Sequence, residues 1–192
     1  QATVYGWAPR MRFDLVVNTM TKYGVCYGKI KVTNPELWRP LVHIRDLVDA
    51  YLLALKSQEK VSGTFNISTK NYTILEIAQE VQNALAANNI KCELDILNEY
   101  EPRSYQVKND KAKKTLGFDP KISIREGVDE LLEQMKNKPH TEWENSWFIN
   151  AEVYRKKILI EEKQYRMWKD FIGNIKDEFD HLTSKEWPQE GP

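Results

Sequence analysis

Apolar residues fall in short clusters along the chain, and their spacing switches between the period of a strand and that of a helix. "ATVYG" (Ala2 to Gly6) reads as a short buried strand. "FDLVVNTMTKYG" sets Leu15, Val16 and Met20 at helical spacing, with Gly24 near the end of that helix. "KIKV" is a short strand, and Asn34-Pro35 marks a turn. In "WRPLVHIRDLVDAYLLAL", "LVHI" predicts a strand. Asp46 predicts the cap of a helix whose buried face carries Val48, Tyr51, Leu52 and Leu55. "GTFNIS" reads as another strand. Thr73 and Glu76 then form a capping box ahead of Ile77, Val81 and Leu85.

"CELDIL" alternates as a strand does. Asp110 opens a short basic helix that ends at Leu116-Gly117-Phe118, with Pro120 beyond it. A second capping box, Ser123 with Glu126, precedes Val128, Leu131, Leu132 and Met135. Strands alternating with helices from residue 1 to about 136 predict an α/β fold with parallel pairing. The pattern changes after "NKPH". Ala151, Tyr154, Ile158, Glu161, Tyr165, Trp168, Ile172, Ile175, Phe179 and Leu182 fall on the seam of a heptad repeat, all but Glu161 apolar or aromatic. This predicts a helical tail over 137–192. Ile160 and Phe171 widen its apolar face, which favours docking on its own domain over a two-stranded coiled coil.

Composition narrows the classes. The 28 basic and 28 acidic residues cancel, so no electrostatic footprint for nucleic acid or an acidic membrane stands out. No apolar run approaches the roughly 20 residues that span a bilayer. Cys26 and Cys92 lack metal-site spacing and fit a reducing, cytoplasmic setting. There is no glycine-rich dinucleotide fingerprint, no phosphate-binding GK[ST] loop, no GxSxG and no HExxH. Tyr-x-x-x-Lys occurs at Tyr27/Lys31 and Tyr165/Lys169. The first is broken by Gly28 and runs into a strand; the second lies in a charge-dense helix.

Arg12, Asn18, Arg39 and Arg103 stand at the ends of apolar segments. A guanidinium fork can hold two oxygens of a diphosphate at once. A single surface arginine is more often one half of a weak ion pair, and Arg12 has Asp14 close by. Asn18 alone reads as a surface amide and His43 as a satisfied core histidine.

Their order is more specific. "ATVYGWAPRMRFDLVVN", "WRPLVHIRDLVDAYLLAL", "GTFNIS" with "YTILEIAQEV", and "RSYQVKNDKAKKTLGFDPKISIREGVDELL" together resemble the C-terminal half of extended short-chain dehydrogenases. The resemblance is narrowest to the NAD-dependent nucleotide-sugar epimerase/dehydratase family and covers residues 1 to about 136. It implies the last strands of a Rossmann sheet plus a substrate-binding lobe. The NAD fingerprint and the catalytic Tyr and Lys of that family precede the Tyr-Gly strand, so the chain reads as a fragment, inactive alone. By the same resemblance Asn18, Arg39 and Arg103 hold the diphosphate of a nucleotide sugar, with Arg12 a further substrate candidate. Tyr5 and Gly6 lie near the nicotinamide. Trp7 stands where many members have proline, which departs from the pattern there. The implied chemistry is transient oxidation of the sugar by NAD, then epimerisation, elimination or re-reduction. A nucleotide-sugar reductase, or a non-catalytic interaction protein using the tail, are the competing readings. A homodimer would have to use the tail seam.

Overall fold

The computed structural model describes residues 1–57, 61–98, 103–136 and 138–153. The Tyr165/Lys169 pair and the tail heptads from Tyr154 onward lie outside the described residues.

Among the described residues the elements follow one another as β1 (Thr3–Tyr5), α1 (Val16–Tyr27), β2 (Lys29–Thr33), β3 (Trp38–His43), α2 (Ile44–Lys56), β4 (Lys70–Thr73), α3 (Ile74–Ala87), β5 (Glu93–Leu97), α4 (Asp110–Leu116), α5 (Ile124–Met135) and α6 (His140–Trp143). A 3₁₀ turn at Ser146–Phe148 comes next. The strands form two small sheets. One has the order β1-β3-β4 and the other pairs β2 with β5. β1 runs parallel to β3 with Thr3 opposite Leu41 and Tyr5 opposite His43. β4 runs antiparallel to β3 with Trp38 opposite Thr73. β2 and β5 are parallel, Lys29 opposite Glu93. The three-stranded sheet is therefore mixed, while the two-stranded one is parallel.

Both capping boxes form as the sequence predicts, at Thr73/Glu76 and Ser123/Glu126. α4 stops at Gly117, whose φ of 70° lets its N–H and that of Phe118 cap the last turn. One shared core holds Ile30 and Val32 of β2, Leu41 of β3, Ile77, Val81 and Leu85 of α3, and Val128 of α5. α1, α3 and α5 thus join the two sheets.

Gly24 lies in the last turn of α1, as expected, and the helix ends at Tyr27 with Gly28, φ 63°, as its cap. A Cβ at Gly24 would lie 2.3 Å from Leu85 Cδ1, so that glycine lets α1 and α3 approach closely. Three other local expectations need correction. Asp46 does not cap α2. His43 does, its imidazole accepting from Arg45 N–H, and Asp46 sits buried in the first turn. The predicted buried stripe of α2 faces solvent: Val48, Tyr51 and Leu52 are about half exposed and Leu55 is 82% exposed. Leu47 and Ala50 take the inward face, packed with Val42 and Ala2. "GTFNIS" accepts one backbone bond, from Ala2 N–H to Ile67 O, and the next residue, Thr69, donates to Leu41 O; the strand that forms is β4.

A first compact unit spans Gln1–Ile149 and a second Asn150–Pro192. Among the described residues, no helix is long and apolar enough to cross a membrane.

Candidate functional site

The start of α1 borders two clefts, one shared with β2 and β3 and one with β1. The first, about 460 Å³, is lined by Lys31, Thr33, Asn34, Leu37 and Arg39 on one side and by Asp14, Val16 and Thr19 on the other. The second, about 480 Å³, is lined by Tyr5, Gly6, Arg10, Arg12, Asn18, Ile44 and Tyr105, among others. The opening turn of α1 separates them, with Val16 and Thr19 facing the first and Leu15 and Asn18 the second.

Arg39 projects from β3. Its Nη1 donates to the carbonyls of Trp38 at 2.9 Å and Arg103 at 2.5 Å, and the guanidinium lies 5.9 Å from the Tyr105 ring. Asn71 of β4 explains how residues 103–108 come to lie there. Its amide imitates a peptide, donating to Val107 O and accepting from Val107 N–H, each at 2.9 Å. Ser104 Oγ accepts from Trp38 N–H and Asn109 donates to Ser68 O. Arg39 and Arg103 are thus brought together from positions far apart in the chain.

Asn18 is placed differently. It is 2% exposed; its Oδ1 accepts from Gly6 N–H at 3.2 Å and its Nδ2 donates to Arg12 O at 3.1 Å. Both ends of the amide fasten the loop between β1 and α1. Arg12 is an exposed partner of Asp14, bonded through Nε and Nη2 at 2.9 and 3.0 Å. Asn18 and Arg12 share the second cleft, whereas Arg39 lines the first; Tyr105 touches both neighbourhoods.

Behind β1 lies a packed junction. Tyr5 donates its hydroxyl to Ile122 O at 2.9 Å, and burial pushes its phenol far above the ordinary range. His43 is fully buried, edge-on to Tyr5, with Nδ1 accepting from Arg45 N–H and Nε2 3.0 Å from Glu130. An acceptor at Nδ1 assigns the proton to Nε2, so the ring is neutral. Burial, foremost, lowers its pKa despite Glu130. Asp46 takes the N–H groups of Lys121 and Ile122, each at 3.1 Å. A Cβ on Gly6, φ 106°, would fall 2.3 Å from His43 Nε2, and one on Gly127 would strike the Tyr5 ring. His43 and Asp46 both engage backbone N–H groups at this junction.

Sequence reasoning missed Asn71, and the segment Trp143–Phe148 described below. A lone asparagine at a strand start carries no signal by itself. Among the described residues, no cluster of metal-ligating side chains occurs.

No family model matches the chain. Over 141 residues it is 29% identical to UDP-glucuronic acid decarboxylase 1 of Arabidopsis thaliana, covering 69% of this chain and 31% of that protein. UDP-glucuronic acid decarboxylase 4 of the same plant is 31% identical over 58% of this chain and 24% of its own. Among solved structures, UDP-N-acetylglucosamine 4-epimerase from Bacillus cereus aligns with TM-score 0.56 and 26% identity, over 72% of this chain and 45% of that one. The chain resembles the NAD-dependent nucleotide-sugar epimerase/dehydratase family. UDP-glucuronic acid 4-epimerase from Bacillus cereus, solved with UDP-glucuronic acid and NAD, shares the fold at TM-score 0.59, 22% identity, over 70% of this chain and 43% of that one. The chain spans about a third of the length of the first of these plant relatives and under half of the solved ones.

Proposed function

We propose that this chain is the substrate-binding portion of a longer NAD-dependent nucleotide-sugar enzyme of the epimerase/dehydratase kind, and that it holds the diphosphate of a UDP-sugar. One observation carries the reading: Arg39 stands on the wall of a nucleotide-sized cleft beside Lys31, tied directly to the backbone of Arg103. Guanidinium forks suit a pyrophosphate because each can hold two oxygens in plane. The names of the relatives add the UDP-sugar class. In this reading Asn18 sets the loop around the ligand, since its amide is engaged with backbone, and Arg12 stands at the rim of the neighbouring cleft.

NAD would supply the hydride acceptor. The residues present do not form its cradle. The space next to Gly6 is filled by His43, the Tyr5 hydroxyl is committed to Ile122, and no glycine-rich turn opens a helix. Tyr5 and Gly6 therefore enter the proposal as one wall near the nicotinamide, with the cofactor held mainly by further sequence.

Calorimetric titration with UDP tests the proposal. Binding should be measurable, and Arg39→Ala or Arg103→Ala should weaken it about tenfold or more, equivalent to about 1.4 kcal/mol. Mixing the chain with NAD and UDP-sugars should give no NAD reduction. Equal UDP binding by the parent and both variants would overturn the assignment.

A further inference from the structure

We propose that the segment 139–149 is a clamp that fixes the loop between β1 and α1 and so sets the shape of the ligand face. Residues 7–15 have no regular secondary structure, yet this loop gives Arg10 and Arg12 to the second cleft and Asp14 to the first. Its anchors are Met11 and Phe13, 2% and 3% exposed. Both pack in a core of their own with Leu131, Met135 and Trp143, joined by Phe148. Phe13 meets Trp143 and Phe148 edge-on, with ring centroids 5.7 and 5.5 Å apart, and Phe13 N–H donates to Phe148 O at 2.9 Å.

The clamp is fastened to α1 at two further points. Lys22, nearly buried, donates from Nζ to Trp143 O at 3.3 Å while lying over the Phe13 and Tyr23 rings. Tyr27 donates its hydroxyl to Glu144 at 2.6 Å. Arg10 stacks on Trp147 at 5.0 Å, so the loop is gripped at its outer end as well. Trp143, Glu144, Trp147 and Phe148, which supply most of these contacts, all lie beyond residue 136. Trp143 and Phe148 act through Phe13 as positioning residues; neither lines either cleft among the residues above.

The ligand half of this inference rests on the UDP-sugar reading; the loop half does not. Amide hydrogen exchange and UDP titration on the full chain separate them. In Trp143→Ala and in Phe148→Ala, amides of residues 7–15 should exchange about tenfold faster while those of β3 and α3 hold their rates. UDP affinity should drop about fivefold. Trp143→Phe should restore both. Should Trp143→Ala fail to fold, Phe148→Ala decides, since that ring is only half-buried. Loop exchange at the parent rate, or acceleration spread equally over β3 and α3, would overturn the clamp. A parent chain that binds no UDP would sink the UDP-sugar reading and leave the clamp to be judged by exchange.

Discussion

His43 ties β1, β3 and α5 into one knot, and it does so as a neutral ring. Protonating it would place a second proton on Nδ1, where Arg45 N–H already donates. Its folded pKa lies below the ordinary 6.5, chiefly through burial. A depressed pKa means the unfolded chain binds the extra proton first, so this contribution is complete above about pH 6.5 and is lost as pH falls through the folded value. The urea midpoint should therefore drop between pH 7.5 and 5.5, and His43→Gln should flatten that part of the profile. An unchanged slope in the variant would show that other groups carry the acid sensitivity. Tyr27 is shifted the other way, up to about 12, because its phenol donates to Glu144. That bond persists through neutral pH.

At the scale of elements, α2 separates what the sequence reveals from what it conceals. Its hydrophobic period is genuine, and the helix forms, but two apolar stripes compete for the inward face. The inner one uses Leu47 and the small Ala50, which brings the helix close to Val42 and Ala2. The larger residues Tyr51, Leu52 and Leu55 are left outside. Leu55→Lys should accordingly change stability by no more than about 0.5 kcal/mol. Leu47→Ala should cost about 2–5 kcal/mol, both read by chemical denaturation. Comparable losses would restore the outer stripe to the core. Local signals with a fixed geometry were legible: two capping boxes, the Gly117 stop, and strands at β1, β2 and β5. The Asp46 cap was misread because cap and first-turn carboxylate share one residue type. Asp46 instead bonds the distant N–H groups of Lys121 and Ile122, which no local pattern announces. The sequence order singled out Arg39 and Arg103, and the Arg39 side chain does reach the Arg103 carbonyl. It could not foresee that Asn18 turns inward, since burial of an amide depends on which backbone groups the loop leaves unpaired.

At the scale of the molecule, two sheets too small to stand alone share one apolar interior. α3 is its centre, with Ile77, Ala78, Val81 and Leu85 inaccessible to solvent and in the same cluster as Ile30, Val32 and Leu41. Ile77→Ala should therefore cost about 2–5 kcal/mol and lower the stability of both sheets in one cooperative transition. Coincident unfolding curves from far-ultraviolet circular dichroism and tryptophan fluorescence would bear this out, and two separated transitions would contradict it.

The bond from Arg39 to the carbonyl of Arg103 has one more consequence. The guanidinium is at once a charge on the cleft wall and a tether for a strand of chain sixty-odd residues downstream. Neutralising that charge also cuts the tether, so a deletion variant reports both losses together. A lysine keeps the cation but has no fork with which to grasp Trp38 and Arg103 from one nitrogen while keeping another aimed at the cleft. The gap between Arg39→Ala and Arg39→Lys is thus the quantity that weighs electrostatic attraction against mechanical attachment.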